Sequence, residues 1–235
     1  MEHLDPQFNI RGAPNDDDGA DIGCVYNLFL DRTGSVQGFE KISNTAGTLT
    51  PGNVGTPIDS GDLFGQAASN IGDLDNDGLL ELAVGAPGAD GEAGAVWLLS
   101  LRAGGTVMRR TVISTPDLPP GTLDAGDGFG GRHVANIGDL DGDGIDEIAV
   151  GAFRDDDGGT DQGALYTLFL NEDLSVRETQ KISSLDGGFS GPIRLTRCRR
   201  VSPIKILKRN ESRIQFGKRR TTAYCLRCNR TNCQS

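Results

Sequence analysis

The sequence predicts an all-β protein made of tandem four-stranded sheets, and three observations carry that prediction. First, the chain repeats itself. Gly72-Asp-Leu-Asp-Asn-Asp-Gly-Leu-Leu-Glu-Leu-Ala-Val-Gly-Ala-Pro87 returns as Gly138-Asp-Leu-Asp-Gly-Asp-Gly-Ile-Asp-Glu-Ile-Ala-Val-Gly-Ala-Phe153. A second block occurs three times, at Gly23–Leu30, Gly94–Leu101 and Gly163–Leu170. Second, the apolar segments are short, rich in Val, Ile, Leu, Tyr and Phe, and bounded by Gly, Asp, Asn and Pro. Third, no window sustains the i, i+3, i+4, i+7 spacing of an amphipathic helix over three turns.

The repeat places its strands in order. In the central copy they are expected around Gln66–Ile71, Leu80–Gly85, Gly94–Leu101 and Val107–Ser114. Each copy of the third strand is followed by a polar turn and a strand ending in Ile-Ser, at Ile42-Ser43, Ile113-Ser114 and Ile182-Ser183. Self-similarity at a fixed long period is the mark of a repeat architecture. A four-stranded antiparallel meander repeated in tandem is a β-propeller blade. A β-helix would have a much shorter period, and a duplicated sandwich fits the tight turns less well. The expected layout is half a blade over about 8–58 and blades over about 61–122 and 126–190. Propellers usually have ~4–8 blades, so the sequence is expected to form an incomplete propeller.

Charge divides the 235 residues sharply. Of the 33 Asp and Glu, only Glu211 lies beyond residue 190, whereas 13 of the 23 Lys and Arg fall there. The acidic part repels nucleic acid and anionic surfaces and attracts cations. No apolar run approaches the ~18–20 residues of a membrane span. The first residues lack the basic and apolar regions of a secretory signal. A soluble chain with no membrane span is expected.

The acidic part gathers its charge in two loops. Asp73, Asp75, Asp77 and Glu81 stand at loop positions 1, 3, 5 and 9, with Gly78 at the bend; Asp139, Asp141, Asp143 and Glu147 repeat the spacing around Gly144. Alternate residues turned inward bring carboxylates to one point, where they would repel and raise each other's pKa. A hard divalent cation removes that repulsion. All-oxygen ligation of this kind suits Ca²⁺ better than Mg²⁺, which keeps more of its water. The carbonyls of Leu79 and Ile145, at position 7, are the expected backbone ligands. Four carboxylates and a carbonyl nearly fill the coordination sphere, so a structural ion is expected rather than a catalytic one. An EF-hand opens with the same D-x-D-x-D-G, but it needs a Glu at position 12 and an exiting helix. Position 12 here is Val84 or Val150, inside a strand-like run. The competing reading, plain acidic hairpin turns, is weakened because all four carboxylates recur in both copies.

These residues resemble the FG-GAP repeats of integrin α-subunit β-propellers. The matching motifs are Phe64-Gly65 and Phe129-Gly130, the loops Asp73–Glu81 and Asp139–Glu147, and Gly12-Ala-Pro14 and Gly85-Ala-Pro87; Phe153 departs from the third triplet. The resemblance covers about residues 8–190. It implies calcium-binding hairpins whose ligands are Asp73, Asp75, Asp77, Glu81, Asp139, Asp141, Asp143 and Glu147. It also implies a non-enzymatic role in adhesion or recognition of a protein or glycan ligand, at the cell surface or outside the cell. Two further roles stay open: an accessory propeller of a secreted phospholipase- or phosphatase-like hydrolase, and a carbohydrate-binding lectin.

Residues 191–235 break the repeat where another carboxylate loop is due. They read as out-of-frame or misassembled coding sequence, as a disordered basic arm for polyanions, or as a zinc site at Cys225, Cys228 and Cys233 whose ligand spacing is incomplete. Elsewhere, His133 is expected to be structural, Cys24 a buried small apolar residue, and Trp97 and the Phe of each Phe-Gly pair core residues. The Asp155–Asp157 run and its counterpart Asp16–Asp18 read as solvated turn charges, in preference to an extra cation site. No nucleophile elbow or phosphate loop is present, and His3 and His133 are the sole histidines.

Overall fold

The computed structural model describes residues 7–16, 22–44 and 58–189. The tail from 191 onward, with its cysteines, and Asp17 and Asp18 lie outside the described residues. Among the described residues eleven strands form three antiparallel sheets, each a meander in chain order. The first holds β1 (Gln7–Ala13), β2 (Cys24–Leu30) and β3 (Val36–Ile42). The second holds β4 (Ala67–Gly72), β5 (Leu80–Ala86), β6 (Ala95–Leu101) and β7 (Val107–Ile113). The third holds β8 (Phe129–Gly138), β9 (Glu147–Ala152), β10 (Ala164–Leu170) and β11 (Val176–Ile182). Among the described residues the one helical element is a 3₁₀ turn at Thr115–Asp117. The four strands expected in the central copy are present to within a residue or two. This all-β arrangement of short antiparallel meanders has the form of propeller blades.

Burial explains the sequence of each strand. Every residue of β6, Ala-Val-Trp-Leu-Leu-Ser-Leu, is buried, because the central sheet has a neighbour on each face. A strand covered on both sides reads as a continuous apolar run rather than an alternation. Trp97, Leu99 and Leu101 face the first sheet with Val25, Ile42, Ile58 and Val84. Val96 and Leu98 face the third sheet with Val150, Tyr166 and Leu168. The last strand of each sheet is more exposed and correspondingly polar, as in Val-Arg-Glu-Thr-Gln-Lys-Ile of β11.

The Phe-Gly pairs join one sheet to the next. Phe64 bridges Gly23, and Phe129 bridges Gly94, each as an isolated parallel pairing between sheets. Both rings are fully buried and sit edge-on to the aromatic residue of their own third strand: Phe64 to Trp97 at 5.5 Å, Phe129 to Tyr166 at 5.4 Å. The packing role expected for Phe64, Phe129 and Trp97 is therefore met, and Cys24 is likewise buried. The adjoining glycines allow backbone to meet backbone. A Cβ on Gly85 would lie 1.9 Å from the Gly130 carbonyl oxygen, and one on Gly12 would lie 1.8 Å from that of Gly65. Phe153, where proline stands in the other copies, has the guanidinium groups of Arg132 and Arg154 over its ring, at 4.5 and 4.9 Å from the centroid.

One expectation fails. Asp155 is not a solvated turn charge: it is 1% exposed, accepts from the Tyr166 hydroxyl at 2.6 Å and pairs with Lys181 at 2.9 Å. Asp157 pairs with the same ammonium at 2.8 Å, and Asp16 with Lys41 at 2.7 Å. Short acidic runs look alike in sequence whether water or a lysine on a distant strand faces them.

Candidate metal centre

Each acidic loop is the connection between the first two strands of a four-stranded sheet. The loop of the second sheet runs from β4 to β5, and that of the third from β8 to β9. Strands leave both loops directly, and Val84 and Val150 are fully buried within them. That geometry excludes the helix-flanked EF-hand.

The loops fold by turning carboxylates onto their own backbone. Asp73 Oδ2 accepts from Gly78 N–H at 3.1 Å, Asp75 Oδ1 from Asp77 at 3.3 Å, and Asp77 Oδ1 from Leu79 at 2.8 Å. The second loop repeats the pattern: Asp139 Oδ2 with Gly144 at 3.2 Å, Asp141 Oδ1 with Asp143 at 3.2 Å, Asp143 Oδ1 with Ile145 at 2.9 Å. The bonds from Asp75, Asp77, Asp141 and Asp143 to the backbone two residues on are the Asx-turn device, whereas Asp73 and Asp139 reach five residues on to close the loop. Gly78 and Gly144 have φ of 88° and 95°. That left-handed region penalises a side chain, so glycine at the bend is required by the turn itself.

Glutamates at the start of β5 and β9 close the sites from beneath. Glu81 and Glu147 are 1% and 0% exposed. One oxygen of each is held by the loop, Glu81 Oε2 by Leu74 N–H at 2.9 Å and Glu147 Oε2 by Leu140 N–H at 2.5 Å. The other oxygens, Glu81 Oε1 and Glu147 Oε1, are buried without a hydrogen-bond partner, as is Asp73 Oδ1. Burial pushes both glutamate carboxyls above their ordinary pKa, and Asp75 and Asp77, or Asp141 and Asp143, add to it by repulsion. An unpaired buried acceptor carries the full desolvation cost of its group. A bound divalent cation relieves both that cost and the repulsion.

The structure brings together three of the four carboxylates expected in each loop. One oxygen each of Asp73, Asp75 and Glu81 lies within 4.8 Å of the others, and so do those of Asp139, Asp141 and Glu147. Asp77 and Asp143 stand outside these groups, held toward Arg109 and Arg177. Leu79 and Ile145 are half-buried, and their N–H groups are engaged by Asp77 and Asp143. The donor set is all oxygen and strongly anionic, which fits Ca²⁺.

Three features were not legible in the carboxylate spacing. Arg109 and Arg177 clasp the loops from the last strands of their sheets. Asn76 Nδ2 donates to the Gly144 carbonyl at 2.8 Å, and Asp146 N–H to the Leu74 carbonyl at 3.1 Å, so the two loops touch. Asn136 joins the same contact, donating to the Ile71 carbonyl and to Asp146 Oδ2, both at 2.7 Å.

The family model described as FG-GAP repeat matches residues 64–99, from the first Phe-Gly pair through the first loop into β6. The chain carries an FG-GAP repeat. It is also similar to integrin alpha chains over part of its length. Integrin alpha-4 of Xenopus laevis is 33% identical over 97 residues, 40% of this chain and 9% of that protein. Integrin alpha-PS5 of Drosophila melanogaster is 31% identical over 136 residues, 57% of this chain and 12% of that protein. Integrin alpha-V of Gallus gallus is 28% identical over 175 residues, 70% of this chain and 16% of that protein. The chain thus spans a small fraction of the curated relatives it matches.

Proposed function

We propose that this chain is a calcium-binding, integrin-alpha-like propeller segment of a surface or secreted protein that acts in adhesion or ligand recognition, without catalysis of its own. The observation that carries the calcium reading is the trio of buried, unpartnered carboxylate oxygens, Asp73 Oδ1, Glu81 Oε1 and Glu147 Oε1. In one loop Asp73, Asp75, Asp77 and Glu81 would hold the ion with the Leu79 carbonyl; in the other, Asp139, Asp141, Asp143 and Glu147 with that of Ile145. A calcium ion supplies a fixed double positive charge that pins each hairpin. The adhesive role rests on the similarity to integrin alpha chains, and the surface location follows from that role. The blades are assigned to about 61–122 and 126–190, preceded by strands within about 8–58.

Isothermal titration calorimetry with CaCl₂ tests the reading. Two sites are expected, with Glu81→Gln and Glu147→Gln each removing one. No heat from a folded sample overturns it. Calcium-dependent retention of the immobilised protein on cells or matrix, abolished by EDTA, tests the adhesive role; equal retention with and without calcium counts against it.

A further inference from the structure

The two acidic loops share a companion that the repeat does not explain. In the first, the Arg109 guanidinium on β7 lies 2.6 Å from Asp75 Oδ2 and 3.7 Å from Asp77 Oδ2. In the second, Arg177 on β11 pairs with Asp141 Oδ2 and, at 2.6 Å, with Asp143 Oδ2. These arginines occupy different positions of the repeat. Arg109 is in regular register opposite Ser100, and its equivalent in β11 is Glu178, opposite Phe169. Arg177 stands in the bulge between Val176 and Glu178, where β7 has Met108. Two different backbone positions deliver the same group to loop positions 3 and 5.

We propose that Arg109 and Arg177 are tethered competitors of the divalent cation and set its affinity. The proposal rests on the calcium reading of the loops. Each guanidinium engages one carboxylate of the converging trio, Asp75 or Asp141, together with the outer carboxylate, Asp77 or Asp143. It leaves the inner oxygens of Asp73 and Glu81, and that of Glu147, without partners. A single positive charge on the rim therefore offsets part of the loop's repulsion and cannot replace an ion at its centre. When the cation enters, the guanidinium repels it and competes with it for the carboxylates at positions 3 and 5. The loops accordingly keep their shape without the ion, and they bind it less tightly than their ligand set alone would.

The test uses the full chain, with calcium calorimetry and thermal melts in EDTA on Arg109→Gln, Arg177→Gln and Arg109→Lys. Each Gln variant is expected to bind calcium about tenfold more tightly at one of the two sites, because a nearby like charge is removed. Its melting temperature in EDTA should fall, so the calcium-induced rise grows. Arg109→Lys, which keeps the charge, should bind like the unaltered chain. A purely structural arginine would lower stability without tightening binding. Arg177 is the safer substitution for folding, because its partner Asp141 is 36% exposed in its side chain whereas Asp75, the partner of Arg109, is 4% exposed. Unchanged or weaker affinity in Arg177→Gln overturns the proposal, whereas absence of calcium heat from the unaltered chain overturns the site itself and the proposal with it.

Discussion

The Tyr166 hydroxyl lies 2.6 Å from Oδ2 of the buried Asp155, and Lys181, paired with Tyr166 across β10 and β11, closes the group at 2.9 Å from the same oxygen. The first sheet repeats it with Asp16, Tyr26 and Lys41: the hydroxyl reaches Asp16 at 3.2 Å and the ammonium at 2.7 Å. In the central sheet the equivalent residues are Ala89, Trp97 and Val112, an uncharged trio in the same register. The correspondence is fixed by backbone: Gly94 N–H donates to the Ala89 carbonyl as Gly163 N–H donates to that of Asp155. One fold position is filled either by a charged pair bridged by a tyrosine hydroxyl or by three uncharged, carbon-rich side chains, of which Trp97 keeps a buried indole N–H without a partner.

That alternation predicts the cost of breaking the group. Lys181→Met leaves the Asp155 carboxylate buried without its cation and should destabilise by about 3–5 kcal/mol, the range for half-removed buried pairs. The triple substitution Asp155→Ala, Tyr166→Trp, Lys181→Val, which imports the central sheet's solution, should fall within about 1 kcal/mol of the unaltered protein. Urea unfolding of both variants checks this. A triple variant no better than Lys181→Met would show that the trio is not interchangeable.

A pH effect should arise nearby. Asp127 is 6% exposed, and burial chiefly, with Asp155 and Asp124 adding repulsion, pushes its carboxyl up to about 6, while Lys181 acts in the opposite sense. Its folded pKa is above the ordinary value, so the folded state prefers the proton. The stability it contributes is full below the ordinary carboxylate pKa and is lost as pH rises through about 6, at up to about 1.4 kcal/mol per pH unit. The difference in unfolding free energy between the unaltered chain and Asp127→Asn should therefore change between pH 4.5 and 7, with Asn relatively favoured at pH 7. A constant difference would contradict the assignment.

The close approach of sheets at glycine should be unforgiving. Gly85→Ala drives a Cβ against the Gly130 carbonyl oxygen, a backbone atom with no rotamer to change. A loss of at least about 3 kcal/mol is expected, at the upper end for overpacking. Gly104, in the turn between β6 and β7, meets nothing within 4 Å, and Gly104→Ala should be neutral or stabilising by up to about 1 kcal/mol. Thermal denaturation of the pair distinguishes local packing from a general intolerance of alanine.

Asn76, at φ 57°, holds one loop to the next. Asn76→Gly keeps the left-handed backbone accessible and deletes only the amide, so a loss of about 1 kcal/mol is expected in EDTA. The second loop carries Gly142 at the same position. No change in melting temperature would mean that the contact is not felt in solution.

Much of this was legible in one dimension. The strands follow from apolar segments between turn residues, and the recurrence of Gly-Asp-x-Asp-x-Asp-Gly marks the loops before any fold is known. The roles of Phe64, Phe129 and Trp97 follow from size and apolarity. The Asp155–Asp157 run misled because nothing local tells a carboxylate in water from one beneath a lysine 24 or 26 residues further along the chain. Arg109 and Arg177 were hidden for a related reason: they stand out of step with the repeat, so aligning the copies never places them together.

By itself, then, the sequence determined what is periodic and local: alternating strand and turn, which carboxylates share a loop, and the glycine each bend requires. The tertiary structure alone decided which charges meet. Asp75 and Arg109, or Asn76 and Gly144, are brought into contact across 34 and 68 residues. Such pairs depend on strand register, on bulges and on how one sheet stacks on another, and these are set by packing of the whole assembly rather than by any segment's own preferences.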